Sequence, residues 1–263
     1  MNIKLIAIDL DHTLINEEKD FSKRDLAAIE KAREKGIYVC LASGRTFKSL
    51  RPYYDRLGFD TMTISAGGAA IFDKDNKLVY KKFLPEKEAA EIVKFAHQNG
   101  YYAQVYFDDD FYFFEEDSEY SRFYEENCGT PGILDKKIIE MDEISTPKVL
   151  FIDTPERINQ IMAEMKEKFA GVTVKKSYPY YLEINNKEAS KGRALEELGE
   201  IVGVEREEIM AIGDSEIDVS MIEYAKMGVV MGNAEDEIKK HADFITADCD
   251  DDGVAAAIEK FCL

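Results

Sequence analysis

The chain has 263 residues, 45% of them hydrophobic, enough for one large α/β domain or two modest ones with a real core. Its 53 acidic residues against 34 basic ones give a formal charge of −19, which works against binding to nucleic acid backbones and anionic lipid surfaces. A small anionic substrate meets the same repulsion, so a site for one must carry local positive charge from a metal ion, Lys or Arg.

Residues 3–10 (IKLIAIDL) form a short apolar run that reads as a buried parallel strand. A helix follows from Ser22, an N-cap with Asp25 three residues on, to a stop at Gly36. The segment IYVCLAS is a second buried strand ending at Ser43, and a helix follows near residues 46–56. This alternation predicts a doubly wound parallel sheet. Between residues 69 and 82 two short strands flank an Asp-Asn turn, which reads as a β-hairpin. Beyond Pro85 the rhythm changes: helix 86–98, aromatic-rich strands within 101–115, helix 118–126, strand 148–153, helix 155–169, and strands 172–177 and 180–185. Together they suffice for a separate α+β unit.

After Ser190 the α/β rhythm returns with helix KGRALEELGEIVG, strand EIMAIGD, a helix through Met221 to Ala225, strand MGVVM, a helix at 235–241, strand DFIT and a last helix 251–261. The expected architecture is therefore α/β: a doubly wound, Rossmann-like core of residues 1–84 and 187–263, with residues 85–186 inserted as an α+β cap. Cys40, Cys128, Cys249 and Cys262 form no C-x-x-C pair, so neither a zinc site nor a disulfide framework is suggested. No segment approaches the roughly 20 apolar residues of a membrane span. The expected setting is soluble and cytoplasmic, with no nucleic acid, membrane or protein partner implied. Acidic patches at Asp108 to Asp110 and Asp250 to Asp252 read as solvated surface.

Three buried strands end in small polar or acidic residues: Asp9 and Asp11 after IKLIAI, Ser43 after IYVCLA, and Asp214 after IMAIG. Ligands of open α/β sheets sit outside the carboxyl ends of the strands, so these side chains can converge although they are far apart in sequence. Carboxylates two residues apart on an extended segment point the same way, which predicts that Asp9 and Asp11 share one pocket. Adding Asp214 and Asp218 crowds negative charge, a problem that a hard cation with oxygen ligands solves, and Mg²⁺ suits it. Ser43-Gly44-Arg45 offers a hydroxyl and close backbone approach to an anion at a helix start, with Ser43 as N-cap the equal alternative. Lys191 opens a helix, where the dipole favours negative charge; it either points into the carboxylate cluster or is solvated.

The ordered set DLDHT, LASGR, SKG and GDSEID resembles the four motifs of the haloacid dehalogenase superfamily. The inserted middle, GDSEIDVSM, VVMGNAEDEIKKHADFIT and DDGVAAAI are similar to its Cof-type phosphatase branch, and the match covers essentially the whole chain. The resemblance implies a Mg²⁺-dependent phosphatase acting on small phosphorylated metabolites, such as sugar phosphates or nucleotides. It makes Asp9 the nucleophile that becomes an aspartyl phosphate and Asp11 the general acid and base. It also implies metal ligation by the Asp9 carboxylate, the Asp11 backbone carbonyl and Asp214, with Asp218 acting through water or orienting the others. Ser43, Gly44 and Lys191 would bind the phosphoryl group, Thr13 would support the loop, and Arg45 and Asn233 would serve as phosphate or network residues. His12, Ile217 and Gly67 depart from the usual pattern, which has Gly, Asn and Asn there. The alternatives are a phosphosugar mutase-like phosphotransferase and a non-catalytic phosphate- or metal-binding regulator. A cap excludes water and, with its aromatic strands, supplies candidates for specificity.

Overall fold

The structure is a computed structural model that describes residues 2–16, 20–107, 110–116 and 119–263. Asp108 and Asp109 of the expected acidic patch, and residue 118 at the start of the helix expected at 118–126, lie outside the described residues. The contacts divide the chain into one unit of residues up to Tyr80 with Ser190–Leu263, and a second unit of Lys81–Ala189.

The first unit begins with β1 (Leu5–Ile8), α1 (Lys23–Glu34), β2 (Tyr38–Leu41), α2 (Phe47–Leu57) and three short strands, β3 (Thr63–Ser65), β4 (Ala70–Phe72) and β5 (Leu78–Lys81). The second unit holds α3 (Glu86–Gln98), β6 (Ala103–Phe107), β7 (Asp110–Phe113), α4 (Glu119–Cys128), β8 (Ile133–Leu134), β9 (Lys148–Ile152), α5 (Pro155–Lys168), β10 (Val172–Tyr178) and β11 (Tyr181–Asn186). The first unit resumes with α6 (Lys191–Val202), β12 (Ile209–Gly213), α7 (Val219–Tyr224), β13 (Met227–Val230), α8 (Asp236–Lys239), β14 (Phe244–Ile245) and α9 (Gly253–Phe261).

The main sheet of the first unit runs β14-β13-β12-β1-β2 with every neighbour parallel, so β1 lies between strands from both halves of the sequence. Its buried strands have no polar face, and successive side chains go to opposite layers. Ile6, Ile8, Val39, Leu41, Met210 and Ile212 pack with α1, α2 and α9. Leu5, Ala7, Cys40, Ala42, Ile209 and Ala211 pack with α6, Met221 of α7 and the small sheet of β3 and β4. This is the α/β doubly wound core, covered by helices on both faces.

Local chemistry sets the helix ends. Ser22 caps α1, its Oγ accepting from the amides of Arg24 and Asp25 at 3.1 and 3.4 Å. Asp25 does not complete a capping box. Its side chain crosses to α9, where Oδ1 accepts from the amide of Ala255 at 2.7 Å. The cause is local to α9: its N-cap residue, Asp252, is left-handed (φ +57°) and makes no side-chain cap, so the acceptor comes from another helix. The hairpin forms as expected between β4 and β5, with Asp73 Oδ1 accepting from the amides of Asp75 and Lys77.

The second unit is a six-stranded sheet, β10-β11-β9-β6-β7-β8, antiparallel except for β7 with β8. Period-two alternation again separates its faces. Ala103, Val105, Val149, Phe151, Leu182 and Ile184 pack under α3 and α5, while Tyr102, Tyr106, Leu150, Ile152 and Tyr181 meet the aromatic residues of α4. The tyrosines that the sequence offers as specificity candidates include a buried polar chain. Tyr102 OH donates to Gln104 Oε1, Gln104 Nε2 to Tyr106 OH, and Tyr106 OH to Tyr124 OH, at 2.8–3.0 Å. No helix among the described residues is long and apolar enough to cross a membrane.

Candidate active site

Asp9 directly follows β1, and its amide donates to the carbonyl of Ile212 at 2.9 Å, extending the parallel ladder to the mouth of the sheet. Asp214 directly follows β12, the neighbour of β1, and Ser43 lies two residues past β2 on the other side. Three adjacent strand ends therefore present their polar residues at one edge. Two helix starts join them, because Lys191 is the first residue of α6 and Asp218 precedes α7.

Asp9, Asp214 and Asp218 bring carboxylate oxygens within 4.8 Å of one another, uniting acids from opposite halves of the chain. Lys191, fully buried, places Nζ 2.6 Å from Asp9 Oδ1 and 2.5 Å from Asp218 Oδ1. It is neither solvated nor dipole-stabilised; its charge is held by two acids. The other oxygen of Asp218 accepts from the amides of Asp214 and Ser215 and from the Ser215 hydroxyl, so this acid also folds the loop that carries Asp214. Thr13, buried, donates its hydroxyl to Asp214 Oδ1 at 2.9 Å.

Lys191 offsets one of three negative charges, and the remainder shows in the proton affinities. Burial, followed by repulsion from Asp218, raises Asp9 well above the usual carboxylate range. The same two causes push Asp214 up to about 6. Burial opposes the charge of Lys191, but Asp218 and Asp9 outweigh it and raise the ammonium above its ordinary value. A compact, buried, oxygen-only set with surplus negative charge fits a hard divalent cation.

Asp11 contributes no carboxylate to this cluster. The strand stops at Ile8 and His12 turns to φ +57°. The Asp11 carboxylate meets Arg45, with Nε and Nη2 2.7 and 2.6 Å from its two oxygens. Ser43 is buried, and its Oγ accepts from the amide of Arg45 at 3.2 Å, while Thr46 is the N-cap residue of α2. A Cβ on Gly44 would meet Ile217 Cδ1 at 3.2 Å, so the side chain standing where Asn is usual is an aliphatic one against the Ser43-Gly44 turn.

Asn233 works as a clip: Nδ2 donates to the carbonyl of His12 and Oδ1 accepts from the amide of Cys249, both at 2.9 Å. Gly67 donates its amide to the carbonyl of Ser43, and neighbouring Gly68 packs so tightly on the start of α6 that a Cβ there would lie 2.1 Å from Ser190 O. Two participants were not singled out in the sequence. Ser215 lies inside GDSEID but shows itself as a partner of Asp218 only through its bonds, and Tyr53, 5.1 Å from the Arg45 guanidinium, reads in sequence as one more aromatic in a helix.

Strand-end carboxylates with a buried lysine at the mouth of a doubly wound sheet define an α/β enzyme whose chemistry is built on acids. A family model described as haloacid dehalogenase-like hydrolase matches residues 6–258, and the chain belongs to that family. It is 33% identical to phosphatase YwpJ of Bacillus subtilis, over 96% of this chain and 98% of that protein. It is 32% identical to the 5-amino-6-(5-phospho-D-ribitylamino)uracil phosphatase YcsE of the same organism, over 100% of this chain and 97% of that protein. Among solved structures, TM0651 from Thermotoga maritima aligns with a TM-score of 0.90 at 32% identity, covering 99% of this chain and 98% of that one. The chain is thus a phosphohydrolase acting on phosphate esters.

Proposed function

We propose that the protein is a Mg²⁺-dependent phosphatase of small phosphate monoesters that works through an aspartyl phosphate on Asp9. The observation that carries this reading is the convergence of Asp9 with Asp214 beside Lys191, a buried acid cluster with one cation built in. In the first half-reaction an Asp9 oxygen bonds to phosphorus as the ester P–O bond breaks. Its electron pair goes to the leaving oxygen, which takes a proton from Asp11. In the second half, water gives a proton to Asp11 as its oxygen bonds to phosphorus, and the bond from phosphorus to Asp9 breaks.

Asp9 and Asp214 would hold the Mg²⁺ with the backbone carbonyl of Asp11, while Asp218 fixes the Asp214 loop and Lys191. When bound, the ion supplies positive charge beside the transferring phosphoryl oxygens. Ser43, the Gly44 backbone and Lys191 would bind those oxygens, Thr13 orients Asp214, and Asn233 steadies the His12 turn. The unit 81–189 would act as the cap. The relative named for a ribityl phosphate, YcsE, supports small phosphorylated metabolites as substrates, and four free cysteines support a reducing, cytoplasmic setting.

The test is phosphate release from a panel of phosphorylated metabolites with added Mg²⁺. Asp9→Asn and Asp11→Asn are expected to lose about 10²-fold or more in rate against the best substrate. Variants that turn over like the wild type would falsify the assigned roles.

A further inference from the structure

We propose that Arg45 and Tyr53 are positioning residues that aim the Asp11 carboxylate at the leaving oxygen. This rests on the assignment of Asp11 as the acid and base of the reaction. The geometry is a three-layer stack inside the first unit. Arg45 grips both oxygens of Asp11 with two N–H groups, at 2.7 and 2.6 Å. Its guanidinium carbon lies 5.1 Å from the centre of the Tyr53 ring, and Tyr53 in turn packs edge-on against Phe21, with centroids 6.1 Å apart.

The need for such a device follows from where Asp11 sits. Asp9 is buried and bonded to Lys191, so burial and this ion pair together fix its carboxylate. The Asp11 side chain is 34% exposed, beyond the end of the strand and before a left-handed residue, so neither the sheet nor close packing sets its torsions. Proton transfer requires an oxygen of this carboxyl within hydrogen-bond reach of the ester oxygen while the P–O bond breaks. A guanidinium fork fixes the carboxylate plane through two parallel bonds, which an ammonium cannot do. The aromatic face beneath fixes the plane of the fork. The chain of restraint runs from Phe21 through Tyr53 and Arg45 to Asp11, and neither Arg45 nor Tyr53 need touch the reacting atoms.

A leaving group that is stable as an anion needs little of the proton that Asp11 donates, whereas an alkoxide needs it fully. The experiment therefore compares kcat/KM for p-nitrophenyl phosphate with kcat/KM for an alkyl phosphate that the wild type hydrolyses. This parameter reports the steps through formation of the aspartyl phosphate and excludes its hydrolysis. Arg45→Lys is expected to lower the alkyl value by about 30-fold or more and the aryl value by about threefold at most. Tyr53→Leu should act in the same direction to a smaller extent, and Tyr53→Phe, which keeps the ring, should restore the wild-type ratio. Inhibition by inorganic phosphate and the thermal midpoint report whether each variant is folded with an intact phosphate site. Equal losses on both substrates, or no loss on either, would overturn the proposal while leaving the Asp9 chemistry intact. Undiminished turnover of both substrates by Asp9→Asn would instead bring down the underlying reading and this one with it.

Discussion

Asp25 is a buried acid outside the candidate site, and its burial has a measurable cost. One oxygen accepts from the amide of Ala255, while Oδ2 is buried with no hydrogen-bond partner. Burial first pushes its pKa up to about 6; the amide of Ala255 pulls it down, and Asp252 and Glu259 add repulsion. Between about pH 4 and pH 6 the folded chain holds a proton on Asp25 that the unfolded chain has released, so stability falls as pH rises through this window. Above pH 6 the whole cost is present, about 3 kcal/mol from the displacement of the proton affinity. Asp25→Asn keeps an acceptor for the α9 amide and removes the charge. Whatever pH-independent cost the amide brings, the stability of the variant relative to the wild type should rise by about 2.4 kcal/mol between pH 4 and pH 7. Chemical denaturation at a series of pH values reads this difference directly. Parallel curves for the two proteins across pH 4–7 would refute the reasoning.

Two further expectations concern the site and its framework. Mg²⁺ at a hundred times its dissociation constant should stabilise the wild type by about 2.7 kcal/mol. Asp214→Asn should lose most of that gain in the same thermal scan, and an equal shift in both proteins would remove the acid cluster as the holder of the ion. Gly68→Ala would put a Cβ 2.1 Å from the Ser190 carbonyl at φ +94°, so a loss of about 3 kcal/mol or more is expected in urea denaturation. Wild-type stability in this variant would contradict the close approach of that turn to α6.

The core strands were legible because they are buried on both faces: LIAI, YVCL and IMAIG read as continuous apolar runs whose length and flanks admit little else. Strand-end acids could be picked out for the same reason, since an acid straight after such a run must be paired or put to use. What stayed hidden were pairings set by side-chain torsions and long-range approach. The motif DLDHT looks like one extended segment, but the strand ends at Ile8 and the two acids take different partners, Lys191 for Asp9 and Arg45 for Asp11. Asp25 looks like part of a local cap, and only the left-handed Asp252 far along the chain explains where it points. Strands of two or three residues, β3 and β8, fall below the length at which alternation can be recognised.

The position of β1 between β2 and β12 carries a consequence for how the polypeptide acquires its shape during synthesis. Leu5 lies opposite Ile209, so the central seam of the sheet cannot close until most of the chain has left the ribosome. The segment 81–189 is contiguous and can assemble its own sheet earlier. Nascent chains halted before residue 209 should therefore protect the middle segment from protease while their N-terminal portion stays open to cleavage, its apolar first strand still waiting for a neighbour.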